Sequence, residues 1–142
     1  MLGMNPYLHF MGNTGEAMRF YRSVFGGEFA KSKRFKDVPG GDNMSPEDQE
    51  KFIHISLMMG NGHTIMATDS LASMGHQVTH GNNFHICVDM ESEAEAERVF
   101  EALSDNGKIE MPMNKTFWGA YFGMCRDKFG IQWMINHAPS EP

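Results

Sequence analysis

Apolar side chains recur at helical spacing in two stretches of the chain. Each stretch begins with a residue that caps helices, has a glutamate three positions later, and ends at a glycine. The first begins at Asn13 and ends at Gly26, and its apolar positions are Ala17, Met18, Tyr21, Val24 and Phe25. The second begins at Ser92 and ends at Gly107, and its apolar positions are Ala96, Val99, Phe100 and Leu103. These patterns predict two helices of about a dozen residues, each with one apolar face.

Alternating apolar and polar residues predict strands before and after each helix. One strand precedes each helix, at residues 7–11 and 84–88. Three strands follow each helix, at residues 28–35, 52–59 and 63–68 in the first half and at 108–113, 119–126 and 131–136 in the second. The chain therefore has the pattern βαβββ twice, and a period of about 70 to 80 residues indicates an internal repeat. The order of elements predicts an α+β fold.

The repeat divides the chain into two modules, at approximately residues 4–69 and 82–137, joined by a linker at residues 70–81. A polar insertion at residues 37–51 interrupts the first module, and its Ser45-Pro46-Glu47 segment predicts a short helix. The full length of 142 residues is enough for one ordinary domain with its own core. We therefore predict a single domain built from two modules.

Composition excludes several classes of function. The formal net charge of −6 argues against a nucleic-acid-binding protein, because neutralising phosphates requires clustered Lys and Arg side chains. No apolar run approaches the roughly 18 residues of a membrane span, and the N-terminal segment lacks the pattern of a signal peptide. We therefore expect a cytoplasmic protein that binds neither nucleic acid nor membrane. Cys87 and Cys125 have no metal-binding spacing, and we expect both to be small buried side chains.

Several motifs resemble the PhnB-like branch of the vicinal oxygen chelate superfamily, which includes glyoxalase I, bleomycin-resistance proteins and extradiol dioxygenases. The motifs are Pro6-Tyr7-Leu8, Gly12-Asn13, Phe20-Tyr21, Val24-Phe25-Gly26-Gly27, KIEMPMNKTFWGAYFG at residues 108–123 and DKFGIQWMIN at residues 127–136. The branch is also known as 3-demethylubiquinone 3-methyltransferase-like. This resemblance implies that the two modules form a curved mixed sheet around a cleft, with the helices on the outside.

In the metal-using members, the resemblance implies a divalent ion held by a His or Gln on the first strand and a Glu on the last strand of each module. The ion would act as a Lewis acid on vicinal oxygens of the substrate. When Gly62 and Gly130 are aligned, the last-strand positions fall on Met66 and Met134. A thioether is a weak, soft donor, whereas these ions require oxygen or imidazole ligands. We therefore predict no cofactor and keep a divalent metal as the alternative.

Strand alternation assigns the remaining side chains of these strands to faces. Trp133 and Ile135 are expected to cover the helix, which turns Gln132 and Met134 toward the cleft. The corresponding strand of the first module turns Met66 toward the cleft in the same way. Our expectation is a cleft lined by methionine and aromatic side chains, in which thioethers take the place of the two carboxylates of the metal-using members.

Histidines are the remaining candidates for chemistry. Alternation turns His9 and His85 toward the cleft, at positions that we take as equivalent in the repeat, and it also places His54 there. These three residues are the predicted ligands if a metal binds, and otherwise they are expected to form hydrogen bonds. A gapless match of the helices to the glyoxalase pattern instead places Pro6 and Asn83 at the ligand positions, so both registers stay open.

Trp118 is the aromatic candidate for the cleft. It precedes Gly119, where we expect a strand to begin, and its amphipathic ring could line the pocket of an organic ligand. A contact between subunits is the other explanation for Trp118. Uncovered strand edges favour a homodimer.

Other chemistries have no sequence signature. No GxSxG elbow is present, and neither cysteine has a sequence-adjacent histidine that would activate it. The glycine-rich strand-to-helix turn that nucleotide-type cofactors usually require is also missing, which argues against methyl transfer.

Three functions remain as hypotheses. The first is a PhnB-like protein that binds a small organic ligand in a metal-free cleft, with or without catalysis. The second is a metal-dependent lyase or dioxygenase-type enzyme that uses the three histidines. The third is a resistance-type protein that sequesters its ligand and performs no chemistry.

Overall fold

The computed structural model describes residues 1–139. The chain forms two compact units, one from Met1 to Thr79 and the other from His80 onward, which we call the first and second units. Each unit contains a mixed sheet of four strands and a helix of 12 residues. The predicted α+β class is confirmed. None of the helices formed by residues 1–139 has the length and apolar composition needed to cross a bilayer.

The first unit has the predicted order of elements. Its elements are β1 (Tyr7–Phe10), α1 (Thr14–Phe25), β2 (Glu28–Arg34), α2 (Pro46–Gln49), β3 (Phe52–Met58) and β4 (Thr64–Asp69). The strands lie in the order β1-β4-β3-β2. β1 pairs with β4 in parallel, and the other neighbours are antiparallel.

The second unit repeats this topology. Its elements are β5 (Ile86–Asp89), α3 (Glu93–Ser104), β6 (Lys108–Lys115), β7 (Tyr121–Arg126) and β8 (Gln132–His137). The strands lie in the order β5-β8-β7-β6, and β5 pairs with β8 in parallel. The βαβββ repeat that the sequence predicts is therefore present in both halves.

Each helix packs on one face of its own sheet. α1 lies against β3 and β4, and α3 lies against β6, β7 and β8. The buried apolar residues of the central strands occupy alternate positions: Ile55, Leu57, Ile65 and Ala67 in the first unit, and Cys125, Trp133 and Ile135 in the second. Burying a large apolar side chain stabilises the folded state by about 1.5–3 kcal/mol. These two rows of apolar residues therefore determine which face of each sheet packs on the helix and which face is turned away from it.

The start of α1 differs from the sequence prediction. Asn13 is the N-cap residue, but its side chain makes no capping hydrogen bond. The carboxylate of Asp69, at the end of β4, accepts a hydrogen bond of 2.9 Å from the backbone N–H of Thr14 and one of 2.8 Å from that of Phe52. A distant carboxylate therefore satisfies a free amide at the start of α1. In α3 the predicted cap is present, because the Ser92 hydroxyl accepts from the Glu95 N–H.

Two predictions about the start of the second unit were wrong. The strand predicted at residues 84–88 begins only at Ile86, and Phe84, expected within it, is 66% exposed. Cys87 was expected to be buried like Cys125, but it is exposed. It lies on an edge strand, and its ladder partner is Met134 rather than a helix-facing residue.

The DKFG turn between β7 and β8 is held together by a buried carboxylate. Asp127 is 3% exposed, and its Oδ1 accepts hydrogen bonds from the backbone N–H groups of Phe129 (2.8 Å) and Ile131 (3.1 Å). Its Oδ2 accepts a hydrogen bond of 2.8 Å from the indole N–H of Trp133. Gly130 completes the turn with a φ of 93°, which a residue with a side chain rarely adopts. The spacing of Asp127 and Trp133 in this motif thus has a structural explanation, because one carboxylate closes the turn and also pairs with the indole.

We expect Asp127→Ala to destabilise the protein by about 2–4 kcal/mol, because it removes the carboxylate that accepts hydrogen bonds from a buried indole N–H and two turn amides. Urea denaturation followed by circular dichroism measures the change. Glu101→Ala, at an exposed site on α3, is the matched control and should lie within about 0.5 kcal/mol of the parent. Equal unfolding midpoints for the two variants would contradict this account of the turn.

Candidate functional site

Each sheet has one face against its helix and one face turned away, which we call the helix-distal face. Ladder partners share a face, so the pairing registers identify the residues on each side. In the first unit the helix-distal residues include Tyr7, His9, His54, Ser56, Met66 and Thr68. In the second unit they include Cys87, Met124, Arg126, Gln132, Met134 and Asn136. The predicted orientations of His9, His54, Met66, Gln132 and Met134 agree with these registers.

A carboxylate lies at the centre of the polar groups in the second unit. Glu110 Oε1 is 2.9 Å from His85 Nε2. Glu110 Oε2 accepts a hydrogen bond of 2.6 Å from the Gln132 side-chain amide. We call these three residues the Glu110 cluster. It brings together two predicted site residues, His85 and Gln132, around a glutamate that the sequence reasoning overlooked.

An irregularity in β6 explains why Glu110 was overlooked. In the β6–β7 ladder, Ile109 pairs with Cys125 and Met111 pairs with Met124, which leaves Glu110 as an extra residue between them. Such a bulge changes the direction of the side chains around it, so strict alternation does not hold across it. A carboxylate thus reaches Gln132 from β6 rather than from the last strand, where the metal-using members carry theirs. A single charged residue within the apolar run of β6 was the available signal.

The surroundings of Glu110 favour its ionised form. Burial acts to raise its pKa, but the hydrogen bonds from His85 and Gln132 and the nearby charges of His85 and Arg126 act in the other direction. The net result is a pKa below the ordinary value of 4.5. Glu110 is therefore a carboxylate at neutral pH, and its side chain is 23% exposed.

This arrangement has a defined chemical capacity. An imidazole that donates from Nε2 to a carboxylate leaves Nδ1 as a hydrogen-bond acceptor or a base. Gln132 uses its N–H₂ group on Glu110, so its amide oxygen is the acceptor that remains for another molecule. The cluster can therefore receive hydrogen bonds from a ligand, or accept a proton from it.

Arg126 supports the cluster from the end of β7. Its guanidinium donates hydrogen bonds of 2.9 Å to the carbonyl oxygen of Gly130, in the DKFG turn, and of 2.9 Å to that of Gly81. Gly81 lies four residues before His85 in the segment that leads into β5. One side chain thus links the turn that positions Gln132 to the segment that positions His85.

The first unit contains a different polar group. His54 Nδ1 lies 3.0 Å from the hydroxyl of Tyr7, and His54 Nε2 lies 2.8 Å from the hydroxyl of Ser56. Tyr7 and Ser56 are the ladder partners of Met66 on its two sides. Both ring nitrogens of His54 are therefore paired with hydroxyl groups. Met66, which carries a thioether, lies between Tyr7 and Ser56 in the sheet.

His9 and His85 are not equivalent positions, which corrects the sequence-based assignment. His9 pairs with Thr68 of β4. The corresponding residue of β8 is Asn136, and it pairs with Asp89. His85 lies before the first residue of β5, beside Gln132. The ring of His9 lies 5.7 Å from that of Tyr7. In the two ladders Tyr7 corresponds to Cys87, so neither candidate register, His9 with His85 or Pro6 with Asn83, joins equivalent positions.

Trp118 lies outside both polar groups. It was expected at the beginning of a strand, but β7 begins at Tyr121 and Trp118 belongs to the turn that follows β6. It is 63% exposed, and its ring packs edge-on against Phe117 at 4.8 Å. Glu110 lies near the other end of β6, five residues before Lys115, or about 16 Å away along an extended strand. Trp118 therefore does not join the Glu110 cluster.

No metal was predicted, and His9, His54 and His85 were the expected ligands only if one binds. Two of these lie in the first unit, on either side of Tyr7, and the third lies in the second unit beside Glu110. Across residues 1–139, no group of three or more His, Cys, Asp or Glu side chains is arranged to hold a metal ion. The donors within each unit therefore fall short of the three protein ligands that catalytic divalent sites usually have.

A family model described as 3-demethylubiquinone-9 3-methyltransferase matches residues 3–136. Protein YjdN of Escherichia coli is 33% identical over an alignment of 147 positions, which covers 98% of this chain and 97% of that protein. The crystal structure of protein PA1353 from Pseudomonas aeruginosa is 34% identical, with a TM-score of 0.84 over 99% of this chain and all of the other.

A second similar solved structure is named after the same family. It is a putative 3-demethylubiquinone-9 3-methyltransferase, PhnB protein, from Bacillus cereus, and it is 30% identical with a TM-score of 0.78 over 95% of this chain and 98% of the other. A glyoxalase-related enzyme from Fulvimarina pelagi, 19% identical with a TM-score of 0.62 over 100% of this chain and 92% of the other, shares the fold.

We expect the stabilising effect of Glu110 to depend on pH. Because its pKa is lowered in the folded protein, the stabilisation is complete above the ordinary pKa and is lost as the pH falls through the lowered one. The parent should therefore exceed Glu110→Gln in free energy of unfolding by more at about pH 6 than at about pH 3. Urea denaturation across this range measures the difference.

Glu91→Gln is the control for this titration, since Glu91 is an exposed carboxylate in the same unit. Its difference from the parent should stay nearly constant with pH. A constant difference for Glu110→Gln as well would show that its partners do not stabilise the charged form.

Proposed function

We propose that this chain, which belongs to the PhnB-like branch of the 3-demethylubiquinone-9 3-methyltransferase family, binds a small organic molecule on the helix-distal face of the second unit. The branch shares its fold with the glyoxalase/bleomycin resistance/dioxygenase superfamily. The observation that carries the proposal is the Glu110 cluster. Small-molecule sites combine a few oriented polar groups with apolar walls. The cluster supplies these polar groups on the face that also carries the thioethers of Met124 and Met134.

The polar atoms of the cluster determine which hydrogen-bonding groups a ligand should carry. Both oxygens of Glu110 are engaged by His85 and Gln132, so they orient those two side chains. The acceptors that remain, His85 Nδ1 and Gln132 Oε1, match a ligand that carries hydroxyl or N–H donors.

The apolar part of the site comes from two methionines. Met124 and Met134 are ladder partners on adjacent strands, on the same face as Gln132. Unbranched thioether side chains adapt to irregular ligand shapes and make favourable contacts with aromatic rings. A small molecule with an apolar or aromatic body and a polar donor fits this combination.

Methyl transfer is not part of the proposal, although the family carries that name. Nucleotide-type cofactors bind at the carboxyl ends of parallel strands beside a glycine-rich turn. Each sheet here has a single parallel pair, at its edge, and the other neighbours are antiparallel. The name of the family is therefore no guide to the chemistry of this chain.

A homodimer is included in the proposal. β1 and β2 are edge strands in the first unit, and β5 and β6 are edge strands in the second. Exposed edges favour pairing with or covering by another chain unless they are blocked. Native mass spectrometry of the purified protein reports the dimer and any bound ligand in the same spectrum.

We expect a thermal-shift screen of small hydroxylated and aminated aromatic compounds to find ligands of the parent protein. A compound at about 100 times its Kd adds about 2.7 kcal/mol of stability, which raises the Tm of a domain of this size by roughly 5–10 °C. Glu110→Gln and His85→Gln should lose most of this shift, because each removes one partner of the cluster.

Glu91→Gln keeps the same net charge as Glu110→Gln and should retain the full shift. A compound that stabilises the parent and Glu110→Gln equally binds elsewhere and counts against the proposed site. NMR of the compound after incubation then distinguishes the hypotheses, since a sequestering protein returns it unchanged whereas an enzyme converts it.

A metal-free site is the remaining part of the proposal, and it is tested separately. We expect elemental analysis of protein purified without chelators to find less than one divalent metal ion per chain. Stoichiometric Zn, Ni, Mn or Fe that disappears in His85→Ala would instead support the metal-dependent enzyme. In that case His85 and Glu110 would be two of its ligands.

A further inference from the structure

The hydrogen-bonded chain in the first unit begins with two residues of β3. His54 and Ser56 are two positions apart, so strand geometry turns both to the same face. His54 Nε2 is 2.8 Å from Ser56 Oγ, which is within the reach of a base and its nucleophile. β3 lies between β4 and β2, so both residues are held by a strand that is paired on both sides.

Tyr7 holds the other side of the imidazole. Its hydroxyl lies 3.0 Å from His54 Nδ1. When Nδ1 carries the proton and donates it to the Tyr7 oxygen, Nε2 is free to accept the proton of Ser56. Burial raises the pKa of Tyr7, so it remains a neutral hydroxyl that can accept this bond. A serine that contacts an imidazole, with the imidazole oriented by a third group, is the arrangement that activates a serine for attack.

The neighbours of this chain supply the other requirements of an acyl-transfer site. Met66 lies between Tyr7 and Ser56 in the ladder and offers an apolar contact to an acyl chain. Lys33 on β2 is the ladder partner of His54 and lies on the same face, where a cation stabilises negative charge on a carbonyl oxygen. Ser56 is only 7% exposed, which limits competition from bulk water.

We propose that Ser56 is a nucleophile for activated esters, with His54 as its base and Tyr7 as a positioning residue. Ser56 Oγ attacks the acyl carbon while its proton passes to His54 Nε2. The bond from the acyl carbon to the leaving oxygen breaks, and the leaving group departs as an alkoxide or phenolate that takes up the proton. Water, deprotonated by His54, then cleaves the Ser56 ester, which releases the acid and restores the hydroxyl.

The substrate class follows from the groups around Ser56. Met66 and the partly buried position of Ser56 favour a short, uncharged acyl group. Tyr7, His9 and Lys33 are the titratable groups nearest to His54 on this face, and Arg34 and Glu28 share the face at the two ends of the β2–β3 ladder. This site lies in the first unit and is independent of the ligand site proposed in the second.

The experiment uses p-nitrophenyl acetate and the full chain. The parent should release a burst of p-nitrophenolate close to one equivalent per chain, and peptide mapping of the quenched protein should find the acetyl group on Ser56. Ser56→Ala should abolish the burst, and His54→Gln should slow it by about 100-fold. Tyr7→Phe should change the pH profile of the burst, because it removes the acceptor that orients the Nδ1 proton.

Ser32→Ala, a serine on the exposed edge strand β2, is the matched control and should behave as the parent does. Urea denaturation of each variant tests whether it is folded, and labelling of the parent in urea tests whether the reactivity requires the fold. The proposal is overturned if Ser56 of the folded parent reacts no faster than Ser32. It is also overturned if a folded Ser56→Ala protein retains the burst, since the acetyl group then resides on lysine or histidine.

Discussion

The second unit depends on one buried contact, the hydrogen bond from the Trp133 indole to Asp127. Trp133 is fully buried against α3, and its N–H would be costly to bury without an acceptor. Asp127 supplies that acceptor and also closes the turn that brings β8 back along β7. With Trp133 committed to the helix side, its neighbours Gln132 and Met134 are turned to the helix-distal face. The candidate site is therefore a consequence of how the core is anchored.

Three carboxylates of this protein show how the environment divides structural from chemical roles. Asp69 and Asp127 are both buried, and their oxygens accept hydrogen bonds from backbone amides or an indole that do not titrate. Glu110 is partly exposed, and its partners are an imidazole and a side-chain amide. The first two hold elements together, whereas the third controls the orientation of groups that still have atoms available to a ligand.

The two halves repeat one topology but carry different side chains at the same face. The first unit presents hydroxyl and imidazole groups around Met66, and the second presents a carboxylate, an imidazole and an amide near Met134. A shared βαβββ framework places comparable positions on each sheet without requiring the same chemistry there. This separation of framework and chemistry explains why membership of the family leaves the reaction open.

Most of the framework could be predicted from periodicity, because the spacing of apolar residues reflects burial directly. Both helices, the repeat, and the orientations of Gln132, Met66 and Met134 followed from it. Periodicity could not predict Glu110, because the bulge in β6 suspends alternation at that residue. It also could not predict that Asp69 caps α1 or that Tyr7 meets His54, since these contacts join residues 55 and 47 positions apart. The sequence by itself determined which side of each strand faces a helix, and only the tertiary structure decided which polar side chains meet on the other side.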